Sequence, residues 1–436
     1  MTKSVEDVKS VWTSDEGTMA RETAISRWPR LVQNMIDDVS ITGAKLSPSS
    51  ALDEIKSIQR ELEYLKSEII NDDKLHRLND DASADISAYN QILDDMGRLT
   101  WLNCPWLYGE CYMYRRVQLL FSMSSSWKDY DIFKRQKNSA LAKSRRSIED
   151  FAIKYIPTIA SPAKPLKKLD EETDRLVFVD MIQLALWGNA ADLSLITDLS
   201  VKEMQAFHGR EPQENVVDND ASEVWDYLCK LRTTTSKRHI DIILDNAGFE
   251  LFTDLLFVAY LFESGLATSI TLHVKSFPWF VSDVVPNDIS FLLEYIQSMG
   301  LRSFATMIQA YIDRGSMRIE TDPFWTTAFS FHEMEVQAPE LFQHLRDSDL
   351  TIWKGDLNYR KLTRDGLWPH TTAFKSALGC LGQGSKVKVL ALRTNKSDTC
   401  VGIDSEEKVE NLDREAPGKS WIRDGTYGVV SFSDGL

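Results

Sequence analysis

The chain has 436 residues, and its 50 Lys and Arg against 65 Asp and Glu give a net charge of −15. That balance excludes bulk nucleic-acid binding, which needs a basic face, though it leaves room for a local basic pocket that holds a phosphate. With 43% apolar and 10% aromatic residues a globular protein is expected, and the length exceeds what one core usually fills, so two domains are expected as well.

The opening MTKSVEDVKSVW lacks the basic-then-apolar build of a signal peptide. No later segment approaches the ~20 apolar residues needed to span a bilayer. A soluble cytoplasmic protein, or one shared with the nucleus, is expected, with no membrane partner. From Thr13 to about Leu228 the pattern is mostly helical. Ser14, Asp15 and Glu16 can cap a first helix. Ile25, Trp28, Leu31, Val32 and Ile36 then recur at the spacing of one buried helical face, with Pro29 marking a kink or a fresh start. Ser50 to Ile69 and Ala84 to Met96 repeat the behaviour. Pro105 suits the first turn of a helix that runs through Arg116. Pro157 to Pro165 reads as a loop, Glu171 to Leu186 and Val201 to His208 as helices, and Gly209 to Ser222 as a solvated loop rich in Asp, Glu and Asn.

From about Thr233 strands and helices alternate. Ile240 to Leu244 is a short apolar run that suits a strand buried on both faces. It breaks into Asp245, Asn246, Ala247 and Gly248. A helix follows from Phe249 to Glu263, stopped by Ser264 and Gly265, and Ser269 to Val274 is strand-like again. That order makes a right-handed unit with parallel strands, in which ligands collect at the carboxyl ends. Asp283 lies just beyond the second strand. Ile289 to Met299 and Phe304 to Arg314 are helical or mixed, and Pro339 to Arg346 is a short helix. Leu350 to Trp353 is a strand that ends in Gly355, Asp356, Leu357, Asn358, Tyr359 and Arg360. Lys386 to Leu392 is another, followed by Arg393, Thr394, Asn395 and Lys396. Four strand ends therefore each discharge a polar cluster.

Asp245, Asn246 and Asp283 are hard oxygen donors of the kind that suit Mg2+, Mn2+ or similar ions with positions left open for water and substrate. The same Asp-Asn pair also serves as a plain helix cap, and Asp283 as a loop residue. Glu250 in the first helical turn can stabilise the dipole or reach substrate or metal-bound water. Asp254 reads as a structural contact. Arg360 offers a fork for phosphate oxygens and Lys396 a point charge, while Lys354, Lys361 and Arg364 read equally as a solvated basic face. Other chemistries are not supported. The seven histidines show no HxH or HExxH spacing, the five cysteines no CxxC pair, and no P-loop, GxSxG or GxGxxG is present. The scattered, odd-numbered cysteines fit a reducing compartment.

These residues carry a resemblance over nearly the whole chain. Trp106, Leu107 and Tyr108 with Glu110 to Arg116 belong to it, as do Leu186, Trp187, Gly188, Asn189 and Asp192. More specific are Leu244 to Glu250, Phe280 to Asp283, Gly355 to Lys361, and the Arg393-Thr394-x-Lys396 signature. In this set the chain closely resembles the acidic-residue methyltransferase-like branch of the metal-dependent damage-control phosphatases. The resemblance implies a helical N-terminal domain, residues 1–230, packed on a Rossmann-like α/β domain with a mainly parallel sheet, residues 231–436. It implies Mn2+, Co2+ or Ni2+, with Mg2+ ranked behind them, on Asp245, Asn246 and Asp283. It also implies a sugar phosphate such as fructose 1-phosphate or fructose 6-phosphate contacted by Asp245, Asn246, Asp356, Leu357, Asn358, Tyr359, Arg360 and Lys396.

The expected function is thus metal-dependent hydrolysis of a small-molecule sugar phosphate in metabolite damage control. Asp245, Asn246, Asp283 and Glu250 would form the catalytic set, with the general base open between Glu250, Asp283 and metal-bound hydroxide. Two rivals make different demands. A carboxyl O-methyltransferase would bind S-adenosylmethionine, with Glu250 and Asp283 at its contacts, and a non-catalytic sensor would bind sugar phosphate without releasing phosphate. The sequence fixes no oligomeric state.

Overall fold

A computed structural model of the chain describes residues 8–81, 83–160, 166–188 and 215–436. Its centre is a seven-stranded sheet of order β1-β7-β6-β5-β2-β3-β4. The strands are β1 (Val216–Asn219), β2 (His239–Ile243), β3 (Ser269–Val274), β4 (Met317–Thr321), β5 (Leu350–Lys354), β6 (Val389–Thr394) and β7 (Gly428–Ser433). All neighbouring pairs are parallel except β6 with β7. The α/β class and the mainly parallel sheet are as expected, and so is the β2–helix–β3 unit, with its helix at Phe249–Glu263.

The chain order sets a switch point. From β2 the chain steps outward to β3 and β4, then returns to place β5 on the other side of β2. The crevice between β2 and β5 is where a doubly wound sheet binds its ligands. The helix after β2 packs into a core with Ile242, Leu272 and Ile352 on one sheet face. The helix after β5, Gly355–Leu362, sends Tyr359 and Leu362 into a second core with Ile243 and Trp353 on the other. Alternation along each strand produces this split: Ile242 and Ile243 face opposite layers.

A third core belongs to the helices Trp28–Gly43, Ser50–Ile70, Ala84–Met96 and Trp106–Ser122, and it reaches across to Trp279, Val281 and Leu357 beside the crevice. Pro29 does mark a fresh start, since Trp28–Gly43 follows a π-helical turn at Thr23–Arg27. The first cap differs from expectation: Thr18, rather than Ser14 to Glu16, accepts from the Arg21 amide ahead of Met19–Glu22.

Three readings change. Gly209 to Ser222 is not wholly loop, because Val216–Asn219 pairs with β7, so the sheet draws its first strand from upstream of position 231. The loop expected over Pro157 to Pro165 does not begin at Pro157, which lies inside the helix Arg145–Ile159. The strand expected over Lys386 to Leu392 runs from Val389 to Thr394 and so takes in Arg393. The helix expected over Val201 to His208 lies outside the described residues.

Candidate active site

β6, β5, β2 and β3 are consecutive in the sheet, so the four polar strand ends meet along one edge. After β2, the Ala247 amide donates to the Ser282 carbonyl at 2.7 Å and the Val284 amide to the Asp245 carbonyl at 2.8 Å. These bonds, with an antiparallel bridge between Asn246 and Asp283, weld the two strand ends together. Asp245, Asn246, Glu250 and Asp283 are all buried. Asn246 Nδ2 donates to Asp245 Oδ2 at 2.9 Å and to Glu250 Oε2 at 2.8 Å, while Ser282 Oγ donates to Asn246 Oδ1.

Two buried lysines balance this charge. Lys275 Nζ lies 3.1 Å from Asp283 Oδ2 and donates to the Leu244 carbonyl. Lys354, at the end of β5, lies 3.0 Å from Glu250 Oε1 and 2.8 Å from Asp254 Oδ1, and donates to the Ala185 carbonyl. Burial pushes the Asp283 carboxyl up to about 6 against the pull of Lys275. Burial likewise pushes Asp254 up to about 7 against the pull of Lys354. Lys354 and Lys361, which the sequence places equally well on a solvated face, are both fully buried. Lys354 is an internal counter-charge. Lys361 donates to the Thr327 carbonyl at 2.8 Å, and burial pulls it down to about 8.

After β5 the chain must turn into a helix hard against Asp245. Gly355 has φ +84°, and a Cβ there would lie 1.8 Å from Asp245 Oδ2. Only glycine permits this approach. The N-termini of Phe249–Glu263 and Gly355–Leu362 therefore both open on the crevice.

Asp356 is half-buried, and its Oδ1 accepts from Arg393 Nε at 2.7 Å, the Lys396 amide at 3.0 Å and Ser397 Oγ at 3.0 Å. Arg393 also donates to the Thr399 carbonyl and lies over the Tyr359 ring at 4.2 Å. The signature arginine is thus a clamp that fixes the loop carrying Lys396, which is itself half-buried. Its role could be read from the sequence only as a polar strand end.

Arg360 departs from expectation. Its guanidinium forks onto Asp365 at 3.0 and 2.9 Å, reaches Glu110 Oε2 at 2.8 Å and stacks over Trp106 at 3.6 Å. It ties the sheet to the helix Trp106–Ser122 and its charge is spent on two carboxylates. Tyr359 receives the Val401 amide, Leu357 packs into the helical core, and Asn358 Nδ2 donates to the Lys354 carbonyl at 2.8 Å. Trp187 donates to Gln183, and Asn189 and Asp192 lie outside the described residues.

Residues 23–412 match the damage-control phosphatase ARMT1-like domain. The chain belongs to that family. The damage-control phosphatase ARMT1 of Danio rerio is 33% identical over 96% of this chain and 95% of its own, and that of Mus musculus 32% over 97% and 98%. Among solved structures, a DUF89 family protein from Pyrococcus horikoshii has a TM-score of 0.44 at 12% identity, covering 86% of this chain and 91% of its own. Membership makes the chain a phosphatase, with a divalent metal as the family's requirement.

The crevice suits such an ion. The 2.9 Å between Asn246 Nδ2 and Asp245 Oδ2 is close to the ~3.0 Å edge of an octahedron with bonds of ~2.1 Å. A half-turn of the Asn246 amide presents oxygen at that position, giving up the Nδ2 hydrogen bonds to Asp245 and Glu250 in exchange for the ion. Asp283 Oδ2 is buried against the Lys275 ammonium, 3.1 Å away, a cation's place at this carboxylate. Among the described residues, no helix is long and apolar enough to cross a membrane.

Proposed function

We propose that this chain hydrolyses small sugar phosphates, with fructose 1-phosphate the first to test and fructose 6-phosphate the second. The ion would be Mn2+, Co2+ or Ni2+, held by Asp245, Asn246 and Asp283, with residues 231–436 carrying the site and residues 1–230 buttressing it. The carrying observation is the weld between the ends of β2 and β3, which sets those three oxygen donors against two helix N-termini at the switch point. When bound, the ion supplies Lewis-acid polarisation and a water of lowered pKa.

The chain's own groups do the rest. The first peptide N–H groups of Phe249–Glu263 and Gly355–Leu362 face the crevice and favour the phosphoryl oxygens. Lys396 adds a point charge, fixed in place through the Asp356 carboxylate, and takes the phosphate role expected of Arg360, whose guanidinium is committed elsewhere. Asp356, with its second oxygen, and Asn358 orient the sugar. Glu250, beside the Asn246 amide and paired with Lys354, would accept the water's proton.

The test is phosphate release from a panel of sugar phosphates by chelator-stripped protein, with Mn2+, Co2+, Ni2+ and Mg2+ restored singly and Asp245→Ala run alongside. Release that requires a transition metal and vanishes in the variant is expected. Full metal-stimulated turnover by Asp245→Ala would overturn the site. Saturable S-adenosylmethionine binding with methyl transfer and no phosphate release would overturn the reaction, and tight sugar-phosphate binding without release would leave a sensor.

A further inference from the structure

A second cluster of ligand-type side chains lies at the opposite end of β2. Asp241 is fully buried on the sheet face opposite Ile240 and Ile242. His273 from β3 and His344 from the short helix Pro339–Asp347 bring their Nε2 atoms within 2.8 and 3.0 Å of Asp241 Oδ1. His239, two residues earlier on β2, brings its Nε2 within 3.4 Å of Asp241 Oδ2. These histidines are far apart in sequence, so no spacing motif announces them. Register brings them together: His239 pairs with Ser269, Ile243 pairs with His273, and the residues at 239, 241 and 243 share a face. Asp241 is four residues before Asp245, which at ~3.3 Å per residue puts the cluster about 13 Å from the candidate active site.

We infer that His239, Asp241 and His344 form a second cation site, selective for a borderline-soft divalent ion such as Zn2+, that pins the helix Pro339–Asp347 to the sheet. Their ligand atoms lie within 4.8 Å of one another. Tetrahedral zinc with bonds of ~2.0–2.1 Å needs donors about 3.4 Å apart, a closure that two partly exposed imidazoles make by small rotations. His344 is 34% exposed and His239 22%, so an ion enters from solvent, while Asp241 stays buried as the anionic ligand. The second shell is in place. Ser269 Oγ engages His239 Nδ1 at 2.8 Å, which turns Nε2 inward, and Ser348 Oγ donates to the second oxygen of Asp241. His273 supplies a third imidazole, and so a fourth candidate ligand, on the buried side, its Nδ1 without a hydrogen-bond partner. Imidazole with carboxylate separates this site chemically from the all-oxygen one at Asp245.

The experiment is Zn2+ binding by full-length Asp245→Ala protein, which silences the other site, read by equilibrium dialysis and by the visible absorption of Co2+ in its place. One ion per chain is expected, with the strong absorption of tetrahedral Co2+. Adding His344→Ala should weaken binding by more than the ~100-fold that outer-shell changes reach, and His239→Gln should do the same from the strand. Circular dichroism confirms that each variant is folded. Both positions are partly exposed, so at least one is expected to fold. No ion bound by Asp245→Ala protein, or unchanged binding in either folded double variant, would overturn the site and leave the imidazoles as hydrogen-bond donors to Asp241.

Discussion

Gly355→Ala tests the crevice without replacing any group that does chemistry. The new methyl group would start 1.8 Å from Asp245 Oδ2 and 2.2 Å from its Cγ. Real Cβ contacts essentially never fall below 3.0 Å, so the carboxylate must retreat by more than about 1 Å, a misplacement that costs an active site on the order of 100-fold. The φ of +84° adds about 1–2 kcal/mol of backbone strain for any residue with a Cβ. Gly300→Ala separates the two effects. Gly300 is exposed, has φ +92°, and its Cβ would meet nothing within 4 Å. Urea denaturation should show a loss of about 1–2 kcal/mol in Gly300→Ala, and in Gly355→Ala about 1–3 kcal/mol more from the overlap with Asp245. Phosphate release and metal affinity should collapse only in Gly355→Ala. If Gly355→Ala keeps wild-type turnover and metal affinity, Asp245 is not a metal ligand.

Lys354→Met strands Glu250 and Asp254 as buried carboxylates, and the expected loss is about 3–5 kcal/mol by chemical denaturation. Arg360→Lys should lower stability through Glu110, Asp365 and Trp106 while leaving KM for sugar phosphate near its wild-type value; a large KM rise with unchanged stability would return Arg360 to the phosphate. Lys396→Ala should raise KM and lower kcat with an unchanged melting midpoint. Burial, and then Asp220, push the Asp218 carboxyl up to about 8. The native chain therefore binds that proton more tightly than the unfolded one. This contribution to stability is full below about pH 4 and is lost as pH rises through about 8, at no more than ~1.4 kcal/mol per pH unit. Asp218→Asn should flatten that stretch of the profile, and parallel slopes for the two proteins between pH 5 and 8 would refute it.

The unit from β2 to β3 was legible because a strand buried on both faces must be a continuous apolar run and its carboxyl end must be polar. β1 was not, because Val216 and Val217 are followed by Asp218, an acid that here points inward to Ser431. Composition reads such a stretch as solvated. Buried charges escaped for the same reason: nothing local distinguishes Lys354, held by two acids, from a lysine in water. Arg360 illustrates the converse error. Its place after a strand suggests phosphate, but its partner Glu110 comes from a helix 250 residues away. The histidine cluster was hidden outright, since only register and a distant helix assemble it.

Phe280 and Val281 carry the chain into Asp283 with φ of +42° and +72°, a region where residues with a Cβ cost about 1–3 kcal/mol each. That turn is held from outside the sheet, by Phe280 stacked on Tyr114 at 4.6 Å and Val281 buried in the helical core. An ion on Asp283 is therefore expected to tighten the helix Trp106–Ser122, and loosening that helix to weaken the ion by the same factor. Amide exchange along 106–122 becomes a remote gauge of occupancy in the crevice.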